Sequence, residues 1–388
     1  MPPTEKLSLE QDVIGNDSGI NALYETLGNT KVEDANASVE ADRLAILNKV
    51  ETDVGFPALN NQVNDLLRHW MKDVLTQLVE TREETNDTEY ADFCNRIGVV
   101  FEKNGEHDAA LKLHIAALAI CKVEFGENHE STATTYNNIG TVLLQAKGDY
   151  RGALSKFKAA LVIQELILGK DHPDLATTYD NIGVVQEKLG DYGGALSMHE
   201  EALAIRLSVL SKDHLDVAVS YNNIGDVLRN MGKYEGALSR FKQALSIPES
   251  AFGKNHPSLA SCLNNIGHVL QTNGDYQGAL SKHEEALAIR LSVLGKDHPD
   301  VAKSHNNIGV VLRSMGDYEG ALSKFNESLS IRESVLSKNH PSVASSLSNV
   351  GLVLQRQGDY SGALSKLEEA LEIRLSVLGN KHPDVAVL

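Results

Sequence analysis

Apolar residues in this chain recur three and four positions apart, in runs that are themselves repeated. Residues 256–297 show the pattern. His256-Pro257-Ser258 opens a stretch with Leu259, Leu263, Ile266, Val269 and Leu270 on one helical face. Proline suits a first helical turn, where its missing N–H has no partner to lose. Asn273-Gly274 supplies a glycine stop, and Asp275 can cap the next helix. That second helix places Ala279, Leu280, Ala286, Leu287, Ile289 and Leu294 on its apolar face. Gly295-Lys296-Asp297 closes it, and His298-Pro299 starts the next unit. The spacing predicts helix, tight turn, helix, loop.

One glycine counts the repeats. Gly98, Gly140, Gly183, Gly225, Gly267, Gly309 and Gly351 lie 42 residues apart, with one interval of 43 between Gly140 and Gly183. A period of this length marks units that pack mainly on their neighbours. Glycine inside a helix costs about 1 kcal/mol relative to alanine, so its recurrence needs a steric reason. The missing side chain lets the paired helix come close, helped from the other side by Ala153, Ala195, Ala237, Ala279, Ala321 and Ala363. The predicted fold is all-α: a right-handed α-solenoid of about seven helix-turn-helix repeats. A slower period of 84 residues lies within it, with Phe157, Phe241 and Phe325 alternating with His199 and His283 at one second-helix position. Duplication of paired units accounts for it.

The repeats have departures with predictable consequences. An extra residue between Gly140 and Gly148 should lengthen one turn. Pro248 stands where Arg206, Arg290 and Arg374 stand in other units, so that second helix should kink or end early. Glu130 and Leu215 replace the proline that usually follows the helix-start histidine. Four segments result: a disordered acidic leader (1–38), a helical N-terminal cap (39–87), the seven-unit array (88–380) and the start of a truncated further repeat (381–388). Within the cap, Leu59, Val63, Leu66, Trp70, Val74 and Leu78 form one stripe suited to covering the first repeat.

Charge narrows the partner classes. The net charge of -17 sits mostly in residues 1–90, which hold 18 acidic and 7 basic residues. The array is close to balanced and lacks the basic stripe of a nucleic-acid binder. Cys94, Cys121 and Cys262 are far apart and form no CxxC pair, consistent with a reducing, cytoplasmic setting. No secretory signal or apolar run long enough for a membrane span is evident.

The strings His-Pro-Asp-Val-Ala (298–302 and 382–386), Asn-Asn-Ile-Gly (137–140, 222–225, 264–267 and 306–309), Gly-Asp-Tyr and Ala-Leu-Ala-Ile-Arg carry a family resemblance. Over roughly residues 88–388 the chain resembles the tetratricopeptide repeat, in the 42-residue form of kinesin light chains. The resemblance implies a concave groove, lined by first helices, that holds peptides. It also raises a cargo-adaptor role, although residues 1–87 contain no sustained heptads for a heavy-chain-binding coiled coil.

Counting from the glycine maps that groove. Three residues before it stand Asn95, Asn137, Asp180, Asn222, Asn264, Asn306 and Ser348. An amide both donates and accepts, so such asparagines can pair with the backbone of an extended peptide. They, or the adjacent Asn138, Asn181, Asn223, Asn265, Asn307 and Asn349, can instead tie neighbouring helices together. Early groove positions are acidic (Asp92, Glu102, Asp180, Glu187), whereas later ones offer Arg229, His268, Lys303 and Arg313. Asp226 is the acidic exception and is placed to neutralise Arg229. The candidate peptide-binding residues are therefore Asn137, Asn222, Asn264, Asn306, Arg229, His268, Lys303 and Arg313. Arginine can grip a carboxylate with two bonds, which favours acidic or C-terminal-carboxylate peptides in the half spanning 219–356.

Catalytic chemistry is not apparent. The histidines are mainly helix-start residues or the packing positions His114, His199 and His283, and no P-loop, HExxH, nucleophile elbow or dinucleotide fingerprint appears. No cofactor or metal is expected. The leading expectation is a non-catalytic adaptor that binds peptide segments of other proteins. The alternative is a structural solenoid that self-assembles end to end through an uncapped C-terminus.

Overall fold

The computed structural model describes residues 88–378, except Asn104, Lys147, 248–255 and Ser337, together with Lys72 and Thr76. The expected leader (1–38) and truncated repeat (381–388) lie outside the described residues, as do Pro248 and nearly all of the cap (39–87). Lys72 Nζ stands 2.7 Å from Glu106 Oε1, at the turn of the first repeat.

The described residues contain fourteen helices that pair into seven helix-turn-helix repeats of an all-α solenoid fold. They divide into two compact units, meeting in sequence at Ser211 and Lys212. The first unit holds α1 (Thr88–Lys103) with α2 (His107–Glu124), α3 (Glu130–Ala146) with α4 (Tyr150–Leu168), and α5 (Pro173–Lys188) with α6 (Tyr192–Val209). The second holds α7 (Leu215–Asn230) with α8 (Tyr234–Leu245), α9 (Pro257–Thr272) with α10 (Tyr276–Leu294), α11 (Pro299–Met315) with α12 (Tyr318–Val335), and α13 (Pro341–Gln357) with α14 (Tyr360–Leu378).

The repeating glycine is a contact point between paired helices. A methyl group on Gly225 would stand 2.5 Å from the Phe241 ring, and one on Gly98 would stand 2.5 Å from the His114 ring. Phe157, Phe241 and Phe325 are wholly buried in this way. Burial of such a side chain contributes about 2 kcal/mol. The small alanines opposite (Ala153, Ala195, Ala237, Ala279 and Ala321) are equally buried.

Local signals start and stop the helices as expected. Asp149, Asp191, Asp275 and Asp317 each accept the backbone N–H of the glycine three residues on, at 2.9 Å. Lys233 occupies this place in the α7–α8 repeat and makes no side-chain cap. The helix-start histidines cap too. Nδ1 of His172, His214, His256, His298 and His340 accepts the backbone N–H two residues on, at 3.1–3.3 Å. In the repeat that carries Pro248, α8 stops at Leu245 after 12 residues, where α10 runs for 19. The early end expected from that proline is observed.

Candidate functional site

The asparagines first serve as joints between successive repeats, in two ways. In the first unit, Asn95 and Asn137 donate through Nδ2 to Thr135 Oγ1 (2.8 Å) and Thr178 Oγ1 (3.0 Å) of the next first helix. In the second unit the adjacent asparagine is the donor. Nδ2 of Asn265, Asn307 and Asn349 reaches Oδ1 of Asn222 (3.2 Å), Asn264 (2.7 Å) and Asn306 (2.8 Å) in the preceding repeat. The change follows the residue five before the glycine. It is threonine at 135 and 178, whereas Ser304 and Ser346 already receive a guanidinium from Arg290 (2.6 Å) and Arg332 (2.7 Å). The Nδ2 atoms of Asn222, Asn264 and Asn306 have no hydrogen-bond partner among the described residues.

Arg229 and His268 line a common pocket of about 540 Å³ in the second unit, with Asp226, Asn265, Gln271 and Tyr276. Arg229 grips Asp226 Oδ1 through Nε (3.2 Å) and Nη2 (3.0 Å). Asp226 Oδ2 also accepts from Asn265 Nδ2 at 2.9 Å, so the carboxylate is shared between α7 and α9. The neutralisation of Arg229 anticipated from sequence is therefore present. His268 sits edge-on to His283, with ring centroids 5.0 Å apart. Burial, and then the charges of Arg229 and Arg290, push His268 below its ordinary pKa of 6.5. That shift weakens the case for His268 in the cationic set. The expectation rested on residue type, and a histidine's charge is decided by what surrounds it.

Lys303 and Arg313 do not line that pocket. Lys303 is exposed and pairs with Asp300 one helical turn earlier, at 2.8 Å. Arg313 is half-buried, with its guanidinium 6.0 Å above the Phe325 ring. It makes no ion pair among the described residues. Burial and the nearby Arg356 charge both lower its pKa from the ordinary arginine value. Arg356 on α13 is exposed and likewise unpaired among the described residues. Sequence mapping missed Arg356, because it lies five residues past its glycine and the mapped position, Gln355, lies four.

The first unit handles its charges differently. The acidic groove position Asp180 is buried against Arg206 and lies 2.7 Å from His199 Nδ1, while Glu187 stands 3.4 Å from His199 Nε2. Burial alone would lower the pKa of His199. Its bonds to Asp180 and Glu187, with their charges, outweigh that and raise it to about 9. The equivalent His114 and His283 face Asn95 and Asn264 at 3.0 and 3.1 Å, and burial carries them down to about 4 and about 3. A further cavity of about 710 Å³ beside α1 and α3 includes Asp92 and Arg96, which neutralise one another at 2.8 Å. Among the described residues, no cluster of three or more histidines, cysteines or carboxylates could hold a metal. Within the same residues, no helix is long and apolar enough to cross a membrane.

The tetratricopeptide repeat family model matches seven overlapping stretches: 91–161, 142–208, 188–250, 216–292, 259–334, 300–376 and 342–388. No curated protein matches the chain. Among solved structures it is similar to a putative kinesin light chain with nearly identical repeats from Podosopora anserina. That pair shares 20% identity and a TM-score of 0.47 over 54% of this chain and 99% of that one. The APC/C hetero-tetramer Cut9–Hcn1 gives 17% identity and a TM-score of 0.52, over 92% of this chain and 61% of that one. A signal-transduction ATPase with a tetratricopeptide repeat sensor, from Pyrococcus horikoshii, gives 15% and 0.58, over 93% and 52%. At these identities the second and third likenesses are of fold alone.

Proposed function

The chain belongs to the tetratricopeptide repeat family, whose members mediate protein–protein interaction, and on that premise we propose that it is a non-catalytic adaptor for acidic peptide segments. The observation that carries this reading is the pair Arg313 and Arg356. Neither guanidinium has an ion-pair partner among the described residues. Guanidiniums that neighbour one another without a carboxylate favour an incoming anion, and a fork can hold a carboxylate with two bonds. Lys303 is a further exposed positive charge on α11, tempered by Asp300. Arg229 and His268 shape the adjoining pocket without supplying net charge.

The asparagines act as donors in this scheme. Oδ1 of Asn222, Asn264 and Asn306 is occupied by the neighbouring repeat, so Nδ2 is the atom left to meet a peptide carbonyl. Each such bond contributes about 1 kcal/mol net. Asn137 spends its Nδ2 on Thr178, which favours the second unit for the peptide.

A peptide-array screen tests the reading. Acidic ligands should be lost from an Arg313→Ala/Arg356→Ala double variant and kept by Arg229→Ala. Equal binding by all three proteins would refute it. A second reading, association between copies, draws on Tyr360 and Leu364, which lie one turn apart on α14 and are 71% and 59% exposed. Concentration-dependent sedimentation, abolished by Leu364→Glu, would support it in place of the first.

A further inference from the structure

The residue that follows the repeating glycine is polar in two adjacent repeats of the second unit. It is Asp226 in α7 and His268 in α9, but valine in the repeats on either side, at Val184 and Val310. On α9, Asn265, His268 and Gln271 come at three-residue steps and so lie along one side of the helix. Together with the Asp226–Arg229 pair of α7 and Tyr276 of α10 they line the pocket of about 540 Å³. The pocket sits at the C-terminal end of α9, about 16 Å of helix beyond Pro257, and all of these residues are described.

The charges of the pocket are already engaged with one another. Arg229 holds Asp226 Oδ1 through Nε and Nη2, and Asp226 Oδ2 receives Asn265 Nδ2 at 2.9 Å. The groups left over are of a different kind. The Gln271 amide and the His268 ring have no hydrogen-bond partner among the described residues, and the same is true of Asn265 Oδ1. An amide offers both donors and an acceptor, and an uncharged imidazole offers one of each. Burial, followed by the charges of Arg229 and Arg290, disfavours the charged form of His268. Tyr276 adds an aromatic wall that is 37% exposed.

We propose that this pocket binds the carboxamide side chain of a glutamine or asparagine carried by the peptide, beside the acidic residues met by Arg313 and Arg356. In that pairing the inference rests on the acidic-peptide reading. A carboxamide donates and accepts at once, which matches Gln271 and His268. A carboxylate only accepts and an ammonium only donates, so either one leaves part of the lining facing an unmatched atom, and that costs affinity. Ser314 also lines the pocket and follows Arg313 on α11, so the pocket extends to the helix that carries one of the two arginines.

The test titrates the full chain at pH 7.5 with four capped single-residue probes, the N-acetyl methylamides of glutamine, glutamate, lysine and alanine. Backbone amide resonances of residues 265–276 report binding. The glutamine probe should shift them saturably and bind about fivefold or more tighter than each of the others, as one further hydrogen bond would give. The alanine probe carries the same backbone groups, so it separates side-chain recognition from backbone pairing. Gln271→Glu keeps the acceptors and removes the donors, and should move the preference to the lysine probe. This position holds arginine at Arg229 and Arg313, so the fold should tolerate the change. Glu-rich peptides that contain a glutamine should likewise bind about fivefold tighter than the same peptides with alanine in its place. An Arg313→Ala/Arg356→Ala variant should lose the acidic peptides yet keep the glutamine-probe preference, so the two readings fail separately. Equal affinity for the four probes, a preference for any other probe, no saturable shift, or an unchanged glutamine preference in Gln271→Glu would overturn the proposal.

Discussion

Replacing Asp180 by asparagine should turn a buried histidine that is charged at neutral pH into a neutral one. His199 is fully buried, and Asp180 and Glu187 hold its pKa at about 9 against an ordinary value of 6.5. At 1.36 kcal/mol per pKa unit, that difference corresponds to about 3 kcal/mol favouring the protonated folded state. The folded value lies above the unfolded one, so this stabilisation is fully present below pH 6.5 and is lost as pH rises through about 9. In Asp180→Asn the ring would face an amide, as His283 faces Asn264 and His114 faces Asn95, where the values are about 3 and about 4. Glu187 remains, but at 3.4 Å it is the weaker partner. The His199 resonance should then titrate below 6.5 in two-dimensional NMR of the imidazole groups. The stability gap between wild type and variant, read by urea unfolding of the first unit, should shrink by about 3 kcal/mol between pH 6.5 and 10. A variant His199 that still titrates above 7, or a pH-independent gap, would refute the reasoning.

Three further outcomes are expected. Gly225→Ala should lower the urea midpoint of the second unit by the equivalent of about 1–3 kcal/mol, because its methyl would stand 2.5 Å from the Phe241 ring; unchanged stability would contradict that contact. Asp275→Ala should cost about 1 kcal/mol through loss of the cap on Gly278, whereas Lys233→Ala, at the uncapped equivalent, should cost far less in the same assay. His283 has a folded pKa of about 3, below its ordinary 6.5, so the second unit should lose stability as pH falls from 6.5 towards 3. His283→Phe, which matches Phe241 and Phe325, should show a smaller acid-induced fall in urea midpoint, and an equal fall would count against the assignment.

Much of the fold could be read from the chain because its decisive features are local. The beat from Gly98 to Gly351, the aspartate caps and the helix ended before Pro248 depend on residues within one repeat. Partnerships between repeats were harder to read. Asn222 and Asn264 look equivalent to Asn137 in sequence, yet they accept from a neighbouring asparagine while Asn137 donates to Thr178. The difference originates five residues before the glycine of the next first helix: Thr178 receives Asn137, whereas Asn222 meets Cys262, whose thiol turns to the Phe241 carbonyl, and Asn264 meets Ser304, already claimed by Arg290. Charge was legible only where its partner was close in sequence. The Asp226–Arg229 pair was anticipated, the equally spaced Asp300–Lys303 pair was not, and the lowered pKa of His268 follows first from burial and then from Arg229 and from Arg290, on another helix. Arg356 escaped notice because a fixed count from the glycine ignores the last turn of α13.

The central claim is that Arg313 and Arg356 select acidic partners because the protein supplies no ion-pair partner for either among its described residues. The most direct measurement is fluorescence anisotropy of matched Glu-rich and Lys-rich peptides against wild type and an Arg313→Glu/Arg356→Glu variant, in low salt. The account predicts that wild type prefers the acidic peptide and that the charge-reversed protein prefers the basic one. A variant that keeps the acidic preference, with its helical content intact by circular dichroism, would contradict it.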